Sequence, residues 1–336
     1  MDILSDVLRV IRLTGAVFFT ARFSAPWSLA SPASTALAPM LGKRADCISL
    51  FHILVEGECW FSLEGHAPVR VETGAVVVIP HGDAHVMGYH PDCASVPIES
   101  ILTPSENGEI PHVEHGGGGE EARFVCGYLH GDHRFNPLIG ALPRLLVVSA
   151  GASGDEAADV GDEFPVRSST SDHWLEMTLD RAVEEADARR PGSPAMLSRL
   201  TELLYLEVLR RHMQQLPEGQ TGWLAGVRDP QVGRALRLLH EQPERKWNTE
   251  DLGRAVGLSR SALGQHFTTL VGDPPMRYLT GWRMQLAQHL LLTPRQSITS
   301  IAASVGYESD VAFSRAFKRH TGVPPATWRR QARGMH

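Results

Sequence analysis

The feature that most constrains this chain is a repeat near its C-terminus. Leu252-x3-Val256-Gly257 recurs as Ile301-x3-Val305-Gly306, and Phe267-x4-Gly272-x-Pro274-Pro275-x2-Tyr278 recurs as Phe317-x4-Gly322-x-Pro324-Pro325-x2-Trp328, at offsets of 49 and 50 residues. Self-similarity at one spacing means one supersecondary unit built twice. Each copy reads as helix, tight turn, helix. In the first, Thr249 caps a helix whose Leu252, Ala255 and Val256 face a core; in the second, Ser297 precedes Ile298, Ile301, Ala302 and Val305. Gly257 and Gly306 supply the left-handed backbone that a sharp corner needs. One such corner is common packing. Two, with Phe, Gly and Pro-Pro landmarks in register, specify paired helix-turn-helix units.

The second helix of each copy divides into two faces. Leu263, Phe267 and Leu270, then Ala312, Phe313, Ala316 and Phe317, point inward. Ser259, Arg260, Ser261 and Gln265, then Ser309, Asp310, Ser314, Arg315 and Lys318, are left outside. Those outward sets suit groove reading, since Arg donates two hydrogen bonds to guanine, Gln pairs with adenine, and Ser or Lys holds phosphate. A helix over Pro275 to Leu292, about 27 Å long at 1.5 Å per residue, separates the copies. That length suits major-groove turns roughly 34 Å apart. The charge agrees with a polyanionic partner: residues 225–336 carry 16 Lys+Arg against 8 Asp+Glu, whereas residues 1–224 carry 16 against 30.

Residues 229–332 resemble the double helix-turn-helix domain of the AraC/XylS transcription regulators. The resemblance rests on Ile301-Ala-Ala-Ser-Val-Gly-Tyr307, Phe313-Ser-Arg-Ala-Phe-Lys318, Gly322, Pro324-Pro325 and Leu258-Ser259-Arg260-Ser261. It implies sequence-specific binding to double-stranded promoter DNA, and control of transcription, usually activation through RNA polymerase. It also implies that the first recognition helix carries most base contacts.

Upstream the pattern changes. Short β-type runs at Ile48–Val55, Cys59–Leu63, Val69–Val71, Ala75–Ile79, Arg123–Tyr128 and Leu145–Val148 read as an all-β barrel or sandwich. Thr103 to Glu121, with Gly116 to Gly119, reads as a flexible loop. From about Ser171 the period is helical, with Leu175, Leu179, Ala182, Val183 and Ala186 on one stripe; a second helix spans Ser193 to Gln215. Its apolar residues, Met196, Leu197, Leu200, Leu203, Leu204, Leu206, Val208 and Leu209, exceed one stripe. Such a helix packs on two partners, the barrel and a second subunit. The expected fold is therefore multidomain α+β. It comprises a cupin-like β-barrel sensor at 1–150, a helical dimerisation segment at 165–216, a linker at 217–228, and the all-α double helix-turn-helix domain at 229–332.

The cupin expectation comes from Gly74-Ala-Val-Val-Val-Ile-Pro80-His-Gly82-Asp-Ala-His85, which is similar to the second cupin motif. The first motif, which in cupins supplies two His and one Glu to a metal, is degraded. With Gly65 as its last glycine, His52 and Glu58 fall on ligand positions but Leu54 replaces a His. With Gly57, the preferred register, Leu50, Arg44 and Asp46 occupy them. The triad is missing either way, which argues against a cupin enzyme. The region as a whole resembles the cupin-type sensor of one AraC-like branch, through Phe51-His52, Gly57-x-Cys59-Trp60, Val125-Cys126-Gly127 and Leu142-Pro143.

His52, Cys59, His85 and Cys126 are the candidate sensor residues. His52, His85 and Cys126 suit a tetrahedral zinc site; the thiols equally suit oxidation or alkylation; and all four suit plain core packing. An organic effector in the barrel stays open beside these. His112, His115, His130 and His133 read as loop residues. The four cysteines, Cys47, Cys59, Cys93 and Cys126, lack CxxC spacing. No run of about 18 apolar residues occurs, so a membrane span is not expected. A cytoplasmic location with reduced thiols is.

Overall fold

The computed structural model describes residues 3–11, 14–38, 48–102, 110–130, 137–149, 172–188, 190–217, 219–293 and 296–333. They fall into two compact units. One is Leu13–Gly131 with Leu142–Gln215; the other is Met1–Arg12, Asp132–Ala141 and Leu216–His336. A short N-terminal helix, α1 (Ile3–Ile11), thus clusters with the C-terminal helices and not with the β unit to which the sequence assigned it.

The β unit contains β1 (Thr14–Ser24), β2 (Ser28–Ser31), a helical turn α2 (Ser34–Leu37), β3 (Ile48–Glu56), β4 (Glu58–Leu63), β5 (Val69–Glu72), β6 (Ala75–Ile79), β7 (His85–Gly88), β8 (Val96–Pro97), β9 (His112–Gly116), β10 (Glu121–His130) and β11 (Leu146–Ser149). One sheet runs β11-β6-β3-β10-β1-β9 and the other β5-β4-β7-β2-β8. Alternation points Phe19, Ala21 and Phe23, Leu50 and Leu54, Phe124 and Cys126, and Cys59, Phe61 and Leu63 into one shared core. All six strands expected from sequence are present. The stretch read as a flexible loop is not wholly one: β9 pairs parallel to β1, and Gly117 and Gly119 donate backbone hydrogen bonds to Ser24 and Ala25. Residues 103–109 lie outside the described residues.

The helical pair belongs to this unit as α4 (Asp172–Ala188) and α5 (Ser193–Gln215), α5 having the bounds expected from its periodicity. Leu197, Thr201, Leu204, Val208 and Leu209 are buried along α5. It lies so close on β1 that a Cβ on Gly15 would stand 2.8 Å from the Thr201 Cβ. The other faces of the pair leave Trp174, Met177, Met196 and Leu203 exposed.

The helical unit adds α3 (Pro137–Gly140), α6 (Trp223–Arg228), α7 (Pro230–Glu241), α8 (Thr249–Val256), α9 (Arg260–Val271), α10 (Pro275–Leu292), α11 (Ile298–Ser304), α12 (Asp310–Thr321) and α13 (Pro325–Arg333). Within the expected linker, α6 buries Trp223 and Leu224, and Trp223 Nε1 donates to Tyr278 Oη over 2.9 Å. Much of that segment is therefore part of the folded unit. The second helix-turn-helix has its own core of Met284, Ala287, Leu291, Ile301, Val305, Phe313 and Phe317. No described helix is long and apolar enough to cross a membrane.

Candidate nucleic-acid interface and sensor site

The duplicated motif produces duplicated caps. Ser259 Oγ accepts from Ala262 N at the start of α9, and Ser309 Oγ accepts from Ala312 N at the start of α12. Each hydroxyl thus fixes the start of its recognition helix by accepting one bond, and its O–H stays able to donate to a phosphate. The cap of α8 is Asn248, whose side chain accepts from Asp251 N, and not Thr249; Ser297 caps α11 as expected. Gly257 is left-handed at φ 78°, and Gly306 at φ 80°.

Beyond the caps, Arg260, Ser261 and Gln265 are exposed on α9, with Leu263 and Phe267 buried behind them. On α12, Arg315 and Lys318 are exposed and Ser314 is half-buried. Asp310 is exposed but accepts a hydrogen bond from Thr299 Oγ1 at 2.7 Å, tying α12 to α11. Ala312, expected inside, faces out, and Val311 is 59% exposed. Asp310, Val311, Ser314, Arg315, Lys318 and Pro324 line a shallow cleft of about 350 Å³. Sequence reasoning missed Val311 because an apolar residue on a helix is read as core by default. Here its exposed methyls can meet a thymine methyl.

In the β unit three of the four sensor residues meet. His85 begins β7 just after Gly82, whose φ of 63° and contact with Ser34 exclude a side chain. His52, on the inward face of β3, is the cross-strand partner of Cys126 on β10. His52 Nδ1 lies 3.0 Å from Cys126 Sγ, His52 Nε2 lies 3.0 Å from His85 Nε2, and His85 Nδ1 lies 3.1 Å from the Asp83 carbonyl oxygen. The chain joins the two sheets through the core. Arg144 holds its far end, donating to the Asp83 carboxylate and to the Glu64 carbonyl.

The protons of this relay are fixed in order. A carbonyl only accepts, so His85 Nδ1 carries a proton and its Nε2 accepts. His52 Nε2–H must then donate, its Nδ1 accepts, and the Cys126 thiol donates to it. Electrostatics agree with three neutral groups. Burial, reinforced by His85, holds the His52 pKa well below its usual value, and burial lowers His85 to about 4. Burial, reinforced by Cys59, pushes the Cys126 thiol up. Cys59 is fully buried beside this core, its thiol also raised by burial and by Glu58.

This arrangement does not fit the tetrahedral zinc centre considered from sequence. His52 spends one ring nitrogen on each neighbour, so the three donors form a line and do not converge. No group of three His, Cys, Asp or Glu that could hold a metal occurs among the described residues. Glu58 is exposed and paired with Arg70, Leu50 and Leu54 are core residues, and Arg44, Asp46 and Cys47 lie outside the described residues. His52, absent from the ligand positions in the preferred alignment, is the residue that reaches His85. His112 and His115 lie in β9 and His130 ends β10, not in loops; His133 is outside the described residues.

Comparison with known proteins follows the same division. A family model described as Cupin matches residues 2–162 and 164–214, and one described as Helix-turn-helix domain matches residues 252–331. The HTH-type transcriptional regulator AlkR of Acinetobacter baylyi is 28% identical over 99% of this chain and 100% of its own. A protein of Streptomyces lividans named as an AraC-like transcription regulator is 28% identical over 98% of each chain. The RCS-specific HTH-type transcriptional activator RclR of Escherichia coli is 23% identical over 85% of each. Among solved structures, the DNA-binding domain of AdpA in complex with a target DNA aligns at 30% identity with a TM-score of 0.30. It covers 32% of this chain and 95% of that one.

Proposed function

The chain belongs to the AraC-like transcription regulators that carry an N-terminal cupin domain, and from this premise we propose that it grips promoter DNA with α9 and α12 as a homodimer, under the control of the barrel relay. The carrying observation is the pair of capped helices with matched polar outer faces. Arg260, Ser261 and Gln265 read base edges from α9. Ser314 and Arg315 read from α12, and Lys318 holds phosphate. Each base-reading side chain contributes on the order of 1–3 kcal/mol. The exposed Trp174, Met177, Met196 and Leu203 of the α4/α5 pair support self-association through that face. Contact with RNA polymerase, and activation, follow from the family reading.

The signal acts on Cys126. Alkylation of its sulfur replaces the S–H proton and leaves His52 Nδ1 buried without a partner. A two-electron oxidant such as a peroxide converts the thiol to a sulfenic acid, whose O–H lies one bond further out in a packed core. Either cost distinguishes two barrel states. The protonated, buried thiol is a poor nucleophile at rest; the reading therefore requires an opening of the barrel before reaction.

One assay tests both halves: binding to duplexes selected from the regulator's own upstream DNA, at several salt concentrations, before and after mild oxidation. Arg260→Ala relaxes base preference, whereas Lys318→Ala weakens all sequences alike and lowers the salt slope by about 1. Cys126→Ala binds DNA and ignores the oxidant. Unchanged preference in Arg260→Ala sinks the reading-helix assignment; a Cys126→Ala protein that responds like wild type sinks the relay.

A further inference from the structure

Two reading heads discriminate spacing only if they cannot move relative to each other, and the helical unit contains a joint suited to prevent it. Arg283, in the middle of α10, is half-buried. Its Nε donates to the Pro243 carbonyl over 2.6 Å and its Nη2 to the Arg245 carbonyl over 2.8 Å. Those carbonyls belong to the loop between α7 and α8, in the first helix-turn-helix. The second copy closes on the same guanidinium from the other side. A Cβ built on Gly306, the corner glycine between α11 and α12, would stand 2.7 Å from Arg283 Nη2 and 2.8 Å from the Glu244 carbonyl oxygen. Next along the chain, Glu308 pairs with Lys246 of the first-copy loop. Burial lowers the Arg283 pKa, with Tyr307 and Glu244 opposing it only in part; a guanidinium keeps its charge at such a site.

We infer that Arg283 is a positioning residue that locks α9 and α12 at one separation, so that the regulator reads the spacing between two half-contacts as well as their sequences. The argument is geometric. A helix alone sets the distance between its ends, but α9 joins α10 by a short turn and α12 reaches it only through α11, and such connections leave rotation free. Donors aimed at two carbonyls of one copy, with the corner of the other packed on the same planar group, remove that rotation. Lysine cannot substitute, because a single ammonium on a flexible stem does not span both carbonyls in a fixed fork. Gly306 thereby has two duties: its left-handed turn, and the absence of a side chain where the guanidinium lies.

The inference rests on both helices entering DNA, and the test separates the two claims. A duplex selected by the full-length protein is compared with the same duplex carrying one extra base pair between the half-contacts, which shifts them by about 3.4 Å and about a tenth of a turn. The readout is the ratio of affinities for the two duplexes on one protein preparation, which does not depend on the fraction that folded. Wild type is expected to lose about 30-fold or more on insertion. Arg283→Ala is expected to lose less than about 5-fold, and Arg283→Lys, the variant that keeps charge and stem, to resemble Ala. If wild type tolerates the insertion, the two-headed reading itself fails. If wild type is penalised and both variants are penalised equally, the heads bind but Arg283 does not set their spacing.

Discussion

Both units bury a neutral polar cluster, but the helical unit adds exposed cations along its duplicated helices. In the β unit, Cys126, His52 and His85 are sunk in a core of Phe, Leu and Val, all neutral, each hydrogen bond carrying one assigned proton. In the helical unit Arg260, Arg315 and Lys318 are exposed on the recognition helices, Lys246 pairs with Glu308, and Arg283 is forked onto backbone carbonyls. A neutral buried chain is sensitive to any event that adds or removes a proton or a donor, because it has no solvent to compensate. Surface cations respond instead to salt and to a polyanion. On the function proposed above, the signal meets groups held in a low dielectric and the DNA meets groups at the water-exposed surface.

The largest expected effect tests the buried half. His52→Ala removes the middle of the relay, strands His85 Nε2 and the Cys126 thiol, and opens a cavity in a packed core. The cost should be about 3 to 4 kcal/mol. Urea unfolding followed by barrel fluorescence should show the midpoint fall, while a probe on the helical unit keeps its own. A loss below about 1 kcal/mol would mean that the three groups do not form one network.

Acid comes next in size. His85 has a folded pKa of about 4 against an unfolded value near 6.5. Between those values the unfolded chain binds the extra proton, so stability is whole above pH 6.5 and is lost as pH falls toward 4, by roughly 3 kcal/mol. His52, shifted in the same direction, adds to the loss. In the helical unit His240, stacked on Trp282 and lowered to about 3, carries the same sign over a window that extends further down. The comparison breaks if barrel stability proves flat from pH 7 to pH 4.

Much of this division was legible in the residues. The helix from Pro275 to Leu292 and that from Ser193 to Gln215 have the bounds their periodicity and Pro or Ser starts dictate. What escaped has physical reasons. The register of β1 shifts between Val17 and Phe19, which breaks the period-2 alternation that marks a strand. β9 buries little besides Val113 and is held by backbone pairing to β1, which composition cannot reveal. α6 packs its Trp and Leu in a segment whose Pro and Gly content reads as linker. At the sensor, the three residues were visible as a set, but not their linear order. Ligand-type residues say nothing about whether their donors converge. Arg283 was silent because its partners are carbonyls, which every residue has.

The smallest effect concerns the caps, where the two copies of the helical repeat can be set against each other. Ser259 and Ser309 look like DNA contacts in the sequence, and each also accepts a hydrogen bond from the third residue of its own recognition helix. If capping is their work, Ser259→Ala and Ser309→Ala should each lower stability by about 1 kcal/mol and lower affinity for all duplexes by a similar factor. Base preference should stay intact, and Ser259→Asp should restore stability, since Asp caps as well as Ser. A contact to a base behaves differently. It would leave the melting curve alone, shift preference at one position, and not be rescued by a carboxylate, which a phosphate-lined groove repels. Thermal unfolding and a duplex selection on the same four proteins, the two alanine variants, the aspartate variant and wild type, therefore assign each serine to one role or the other. The two copies need not agree, and each serine is assigned by its own pair of measurements.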